Sequence, residues 1–170
     1  TVAVIGQERG RPSNSGLERR DGQTLPEGFR KAQRTLLLAE KFDIPIITLV
    51  DTPGANLSTE AENRGIGNAI ASTMAMMSDI QIPTLSVVIG EGGSAGALAL
   101  GTADKLLMME NAIYTAVSPE DAAQVIYQDE GKAQDAAESL KLTAFHCHEL
   151  GIIDKIVPEP EGGAHTNHHQ

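Results

Sequence analysis

One stretch, residues 84–103, TLSVVIGEGGSAGALALGTA, constrains this chain more than any other. Leu85, Val87, Val88 and Ile89 make an apolar run that reads as a buried strand. Gly90, Gly92, Gly93 and Gly96 then turn the chain sharply, and a helix of small residues starts near Ala95. Such a strand, turn and helix belongs in a sheet covered by helices. Its turn presents main-chain N–H groups at a helix N-terminus, where partial positive charge gathers and an anion is welcome.

The remaining chain alternates in the same manner. Val2 to Ile5 is a short apolar run ended by Gly6, an early or edge strand whose partner is expected upstream. Residues 7–26 show no periodicity and are rich in Gly, Pro, Ser, Asn and Arg, so they read as a disordered stretch or one long functional or partner-ordered loop. Pro26 opens a helix whose apolar stripe is Phe29, Ala32, Leu36, Ala39 and Phe42. IPIITLV, residues 44–50, is a strand buried on both faces, and it ends in Asp51-Thr52-Pro53-Gly54-Ala55, at the strand end where open α/β sheets bind ligands.

A helix is predicted over 59–77, with Ile66, Ala69, Ile70, Thr73 and Met77 on one face. Gly65 and Gly67 weaken its first turns by about 1 kcal/mol each relative to Ala, which suggests close approach of another backbone or a ligand, or a later helix start. After the glycine turn come strands over 105–109 and 113–117, linked by a turn at 110–112. Helices follow over 120–127, 132–140 and 144–149, then a last strand over 152–157 and a tail over 159–170. The class is α/β with repeated βα or ββα units, and 170 residues suit a single domain.

Charge and cysteine content narrow the chemistry. A net charge of −10 disfavours nucleic acid and anionic membrane as partners. Residues 1–41 nevertheless hold eight of the 13 basic residues, Arg9, Arg11, Arg19, Arg20, Arg30, Lys31, Arg34 and Lys41, which could meet phosphates. The single Cys147 excludes an internal disulfide and a four-cysteine zinc site, and it reads as a small helix residue. No membrane span or signal-peptide pattern is present, so a cytoplasmic location is expected.

Three chemistries compete for the glycine turn. A phosphate-binding P-loop needs Lys followed by Ser or Thr at its end, whereas this turn closes with Gly96-Ala97-Leu98. A serine hydrolase is suggested by Gly92-Gly93-Ser94-Ala95-Gly96, which matches G-x-S-x-G between strand and helix and resembles the turn of Clp-type serine proteases. Ser94 would need a histidine base, and the five histidines, His146, His148, His165, His168 and His169, all lie far downstream. The third chemistry uses the backbone alone: N–H groups of the turn form an oxyanion hole, each donor worth about 3 kcal/mol of transition-state stabilisation.

The runs LPEGFRKAQRTLLLAEKFDIPIITLVDTPGA, IPTLSVVIGEGGSAGALALGTADKLLMMENAIYTAVSPE, ESLKLTA and ELGIIDKIVPEPEGGAH occur in this order over about residues 1 to 165. Together they resemble the carboxyltransferase α subunit of bacterial acetyl-CoA carboxylase. The resemblance implies a crotonase/Clp-protease-like superhelix of repeated ββα units. It implies transfer of CO2 from carboxybiotin to acetyl-CoA, giving malonyl-CoA in the first committed step of fatty acid biosynthesis. A propionyl-CoA or other acyl-CoA version is the alternative, and a non-catalytic domain that binds a partner is the alternative from another class.

By the same resemblance, Gly92, Gly93, Ala95 and Gly96 supply backbone donors or close approach at the biotin site, and Gly54 and Ala55 belong to the substrate pocket. The family usually has glycine where Ala95 stands and a longer Gly-rich run where this chain has Asn56-Leu57-Ser58-Thr59. The chain has no Met-Lys-Met biotinylation site, zinc ribbon or ATP-binding loop. The implied partners are a β subunit that carries the zinc and much of the CoA site, a biotin carboxyl carrier protein, and a separate biotin carboxylase that uses the ATP, in an α2β2 carboxyltransferase. Arg9, Arg11 or Arg19 is expected to help a partner or phosphate dock.

Overall fold

Parallel pairing organises the molecule. The computed structural model describes residues 1–10 and 19–167. Its strands are β1 (Ala3–Gly6), β2 (Ile46–Thr52), β3 (Thr84–Gly93), β4 (Lys105–Met109), β5 (Ile113–Thr115) and β6 (Lys155–Val157). They pair in the order β1-β2-β3-β4-β6, each neighbour parallel, and β5 pairs separately with β3. Parallel neighbours need crossovers, and the helices provide them. These are α1 (Pro26–Lys41), α2 (Thr59–Asn63), α3 (Ile66–Asp79), α4 (Ser94–Gly101), α5 (Pro119–Tyr127), α6 (Ala133–Leu140) and α7 (Ala144–Glu149).

The expected strand, glycine turn and helix is β3 running into α4. The alternation of β2 places Ile46, Thr48, Val50 and Thr52 on one fully buried face. Thr48 tolerates that burial because its hydroxyl donates to Leu100 O of α4 at 2.8 Å. Val50, Val88, Ala97, Leu100, Met108, Cys147 and Ile153 form the core between the sheet and α4 and α7. Small residues let α4 sit close to the sheet: Ala97 and Ala99 are completely buried.

Several expectations change in the structure. β1 pairs with β2, downstream, on one of its two sides. Phe42 is 62% exposed because α1 ends at Lys41, and Leu36 and Ala39 complete the buried stripe instead. The 59–77 helix is two helices, broken where Gly65 adopts φ +76 as the N-cap of α3. A left-handed residue cannot continue a right-handed helix, so the helix starts later. Gly67 has open space where its Cβ would be, and no backbone approaches it.

The strands either side of the 110–112 turn do not pair with each other. β5 ends at Thr115 and lies along the glycine end of β3, Glu91–Gly93. The last strand starts only at Lys155, while Ile153 turns into the core. Within the expected 7–26 loop, Arg20–Gly22 form a short 3-10 turn, and Ala164–Thr166 form another in the tail. Residues 11–18 of that loop, with Arg11, and His168 and His169 of the tail lie outside the described residues.

Candidate functional site

At the carboxyl ends of β2 and β3 two turns are joined backbone to backbone. The first is 53–55 and the second 92–96. Between Val50 and Thr52 the β2–β3 register breaks: Val50 pairs with Val88, but Thr52 pairs with Gly92, so Asp51 faces the bowed-out residues Ile89, Gly90 and Glu91. A bulge re-aims the chain that follows it. The Asp51 carboxylate replaces the missing ladder by accepting the Glu91 N–H at 3.0 Å. A Cβ on Gly90 would come within 2.7 Å of Asp51 Oδ1, so a side chain there would push the carboxylate off the Glu91 N–H.

Beyond the break the turns interlock. A Cβ on Gly93 would overlap the Pro53 carbonyl and sit 3.0 Å from Gly54 N. One on Gly96 would meet Gly54 C at 2.6 Å and Ala55 N at 2.8 Å. One on Gly92 would strike the Tyr114 ring from β5. Thr52, fully buried, locks the first turn: its hydroxyl donates to Gly54 O at 2.9 Å and accepts from Gly54 N at 3.1 Å. Burial also pushes the Tyr114 phenol up, so the ring behind the turn stays neutral.

All six residues singled out from the sequence, Gly92, Gly93, Ala95, Gly96, Gly54 and Ala55, come together here. They do not share one environment. Gly54, Gly92, Gly93 and Gly96 are buried against the protein itself, whereas Ser94 is exposed and Ala55 and Ala95 are half-exposed. Ser94 begins α4 with φ +52, a strained value for a non-glycine residue. No side chain caps the first turn of α4. The first amides of a helix have no intrahelical acceptor, so this turn is an electropositive end next to an exposed surface.

The Ser94 hydroxyl has no hydrogen-bond partner among the described residues, and no described histidine contacts it. The His146 ring instead lies 3.0 Å from Thr143 Oγ1. Cys147 is buried, and burial holds its thiol in the protonated, unreactive form. No group of three or more His, Cys, Asp or Glu among the described residues could hold a metal ion. Among the described residues no helix is long and apolar enough to cross a membrane.

The basic residues expected to dock a phosphate are partly committed. Arg9 is ion-paired to Glu91 and lies 3.7 Å from Asp51, bracing the bulge. Arg19 pairs with Glu8 at 3.5 Å. A cavity of about 420 Å³ lies along β1 and α1, bounded by Ile5, Arg19, Gln23, Leu25, Phe29 and Leu100, and no residue of either turn lines it. Sequence reasoning placed Asp51 in the strand-end turn without a role of its own and passed over Gln7; their contacts tie the two turns together. An acid closing a buried strand was a visible signal for Asp51; Gln7 gave none.

The family model described as acetyl co-enzyme A carboxylase carboxyltransferase-like matches residues 1–170. The acetyl-coenzyme A carboxylase carboxyl transferase subunit alpha of Shouchella clausii is 52% identical over 99% of this chain and 52% of its own length. That of Clostridium acetobutylicum is 49% identical over 98% of this chain and 61% of its own. The chain thus spans about half the length of the curated relatives it matches. Among solved structures, transcarboxylase 12S superposes with a TM-score of 0.78 at 22% identity, covering 92% of this chain and 31% of that one. A Pseudomonas malonate decarboxylase hetero-tetramer superposes with a TM-score of 0.74 at 17% identity, covering 92% and 64%. These two likenesses establish the fold.

Proposed function

This chain belongs to the acetyl co-enzyme A carboxylase carboxyltransferase-like family, and from that premise we propose that it is the α-side portion of a carboxyltransferase making malonyl-CoA from acetyl-CoA. The observation that carries the reading is the uncapped first turn of α4, fixed against the 53–55 turn and open to the surface at Ser94 and Ala95. Carboxybiotin, held on a separate carrier protein, supplies the carboxyl group; ATP is used only by a separate biotin carboxylase.

The chain's own part is electrostatic. The main-chain N–H groups of the 92–96 turn, with the helix end behind them, hold an oxygen that becomes more negative as the carboxyl group departs. Fixed dipoles of this kind need no reorganisation during the reaction, which is why the rigidity of the two turns matters. Ala55 and Ala95 border the surface that receives the ring, and the Ala95 methyl narrows it relative to glycine. Ser94 contributes its N–H and its turn conformation, and its hydroxyl takes no covalent role.

The remainder of the site is assigned to a β subunit that contributes the companion oxyanion hole and much of the CoA site, in an α2β2 assembly. The names of the α-subunit relatives support such a partner. So do the exposed apolar side chains Leu37, Leu38, Phe42, Val125, Ile126 and Phe145. The setting is cytoplasmic, and the chain is a single domain of the complete protein. Decarboxylation of malonyl-CoA with free biotin, measured with and without the β partner, tests the reading. Activity only in the complex is expected, and its absence from the complex would refute the assignment.

A further inference from the structure

Gln7 leaves the end of β1 and reaches both parts of the site. Its backbone stays in the sheet, where its N–H donates to Leu49 O at 3.0 Å. Its side-chain amide is half-buried and makes two bonds: Nε2 donates to Gly96 O at 3.0 Å, and Oε1 accepts from Asp51 N at 3.3 Å. Asp51 follows Leu49 on the side of β2 that faces β1, and β1 ends at Gly6, so its N–H takes the Gln7 side-chain oxygen in place of a ladder carbonyl. Gly96 lies in the first turn of α4, where a Cβ would strike the 53–55 turn.

One planar amide therefore ties the root of the first turn to the head of the helix that carries the second. The two bonds use both ends of that amide, which fixes their relative direction as well as their spacing. Two residues further on, Arg9 ion-pairs with Glu91 and Asp51 and pins the bowed-out residues of β3. Residues 7 and 9 lie within three positions of the end of β1, so that strand acts as a base from which the bulge and the helix start are both held.

We propose that Gln7 is a positioning residue: by gripping Asp51 and Gly96 together, its side chain sets the aim of the α4 amides relative to the 53–55 turn. The inference rests on the carboxyl-transfer reading above and adds a residue to it. Gln7 touches neither the exposed surface at Ser94 nor the reacting atoms, and acts through the backbone it holds.

The test uses the full-length chain assembled with its partner subunit, comparing Gln7→Leu with the unaltered enzyme. Because the aim of the donors matters in the transition state, kcat should fall by about tenfold to a hundredfold, with KM for acetyl-CoA unchanged. Hydrogen exchange should accelerate in peptides covering 51–56 and 92–98 and stay the same over 66–79. Gln7→Glu keeps the shape and the acceptor for Asp51 N–H, but cannot donate to Gly96 O at neutral pH. With Glu8, Asp51, Glu91 and Arg9 around it, that variant should show the same kcat loss, and it carries the test if Gln7→Leu does not fold. An unchanged kcat, a rise in KM alone, or unchanged exchange in both peptides would overturn the proposal. If the unaltered complex transfers no carboxyl group while exchange still accelerates, the functional reading falls and the brace stands.

Discussion

Replacing Gly96 by Ala tests whether the two turns form one rigid unit. The new Cβ would lie 2.6 Å from Gly54 C and 2.8 Å from both Ala55 N and Gly54 O. Carbon atoms need about 3.5 Å, so the turns must part by about 0.9 Å. Ala is favoured over Gly in a helix by about 1 kcal/mol, whereas overpacking a tight contact costs about 1–3 kcal/mol. Here the contact is backbone, and that backbone is held by Thr52, so the clash wins. A net destabilisation of about 2 kcal/mol is expected, lowering Tm by about 4–8 °C for a domain of this size. A displacement near 1 Å at the donors should lower carboxyl transfer by about a hundredfold. Thermal unfolding and a malonyl-CoA decarboxylation assay on the assembled enzyme measure the two effects. Full activity with unchanged Tm would refute the claim that the turns are locked together.

Gly67→Ala is the control: it is also a glycine in a helix, but with open space at its Cβ, so it should stabilise the chain by about 1 kcal/mol in urea unfolding. Thr52→Val keeps the shape but leaves Gly54 N and O unpaired, and should cost about 1–3 kcal/mol in the same measurement. Ser94→Ala should retain most carboxyl transfer because only the N–H is used; its loss would favour a role for the hydroxyl. Asp104 accepts hydrogen bonds from the Thr84 N–H and hydroxyl, which hold its carboxyl below the ordinary 3.8. A depressed carboxylate stabilises the fold above the unfolded pKa, and that contribution is lost as pH falls through the lower folded value. The stability gap between the unaltered chain and Asp104→Asn should therefore be widest at neutral pH and close as the pH drops below about 4.

Much of this arrangement was legible from local pattern. Apolar runs marked β2 and β3, Pro26 marked a helix start, and the glycines marked the turn at the head of α4. What local pattern could not carry was pairing. The side-by-side placement of β5 and the glycine end of β3, and the partnership of β1 with β2, are choices between distant segments. The break at Asp51 is equally non-local, because it needs three residues of β3 to face one of β2. Gln7 was invisible for the same reason: its partners lie 44 and 89 residues away. The split of the 59–77 helix at Gly65 was available in principle, since the glycine was noticed, but only its φ of +76 decides between a strained helix and a stop.

The order of residues in Gly92-Gly93-Ser94-Ala95-Gly96 now has a physical account that bears on the chemistry. Glycine occurs where the chain touches itself: at 92 against Tyr114, at 93 against Pro53, and at 96 against Gly54 and Ala55. Side chains occur at 94, which faces outward, and at 95, whose methyl is half-exposed and packs partly against the cluster of Phe29, Ala61, Ile66 and Ala99. On the proposed reading a ligand would meet the turn from the side of Ser94 and the exposed part of Ala95, and the buried glycines would serve it by holding the amides still. Glycine density alone would have pointed to Gly93 as the place of closest ligand approach, yet the Pro53 carbonyl already fills that space. Lengthening residue 95 should thus obstruct the bound ring directly, whereas lengthening residue 93 or 96 should disturb the fold first. The two kinds of variant separate in a single comparison: inhibition that outruns any change in Tm at 95, and lowered Tm accompanying lost activity at 93 or 96.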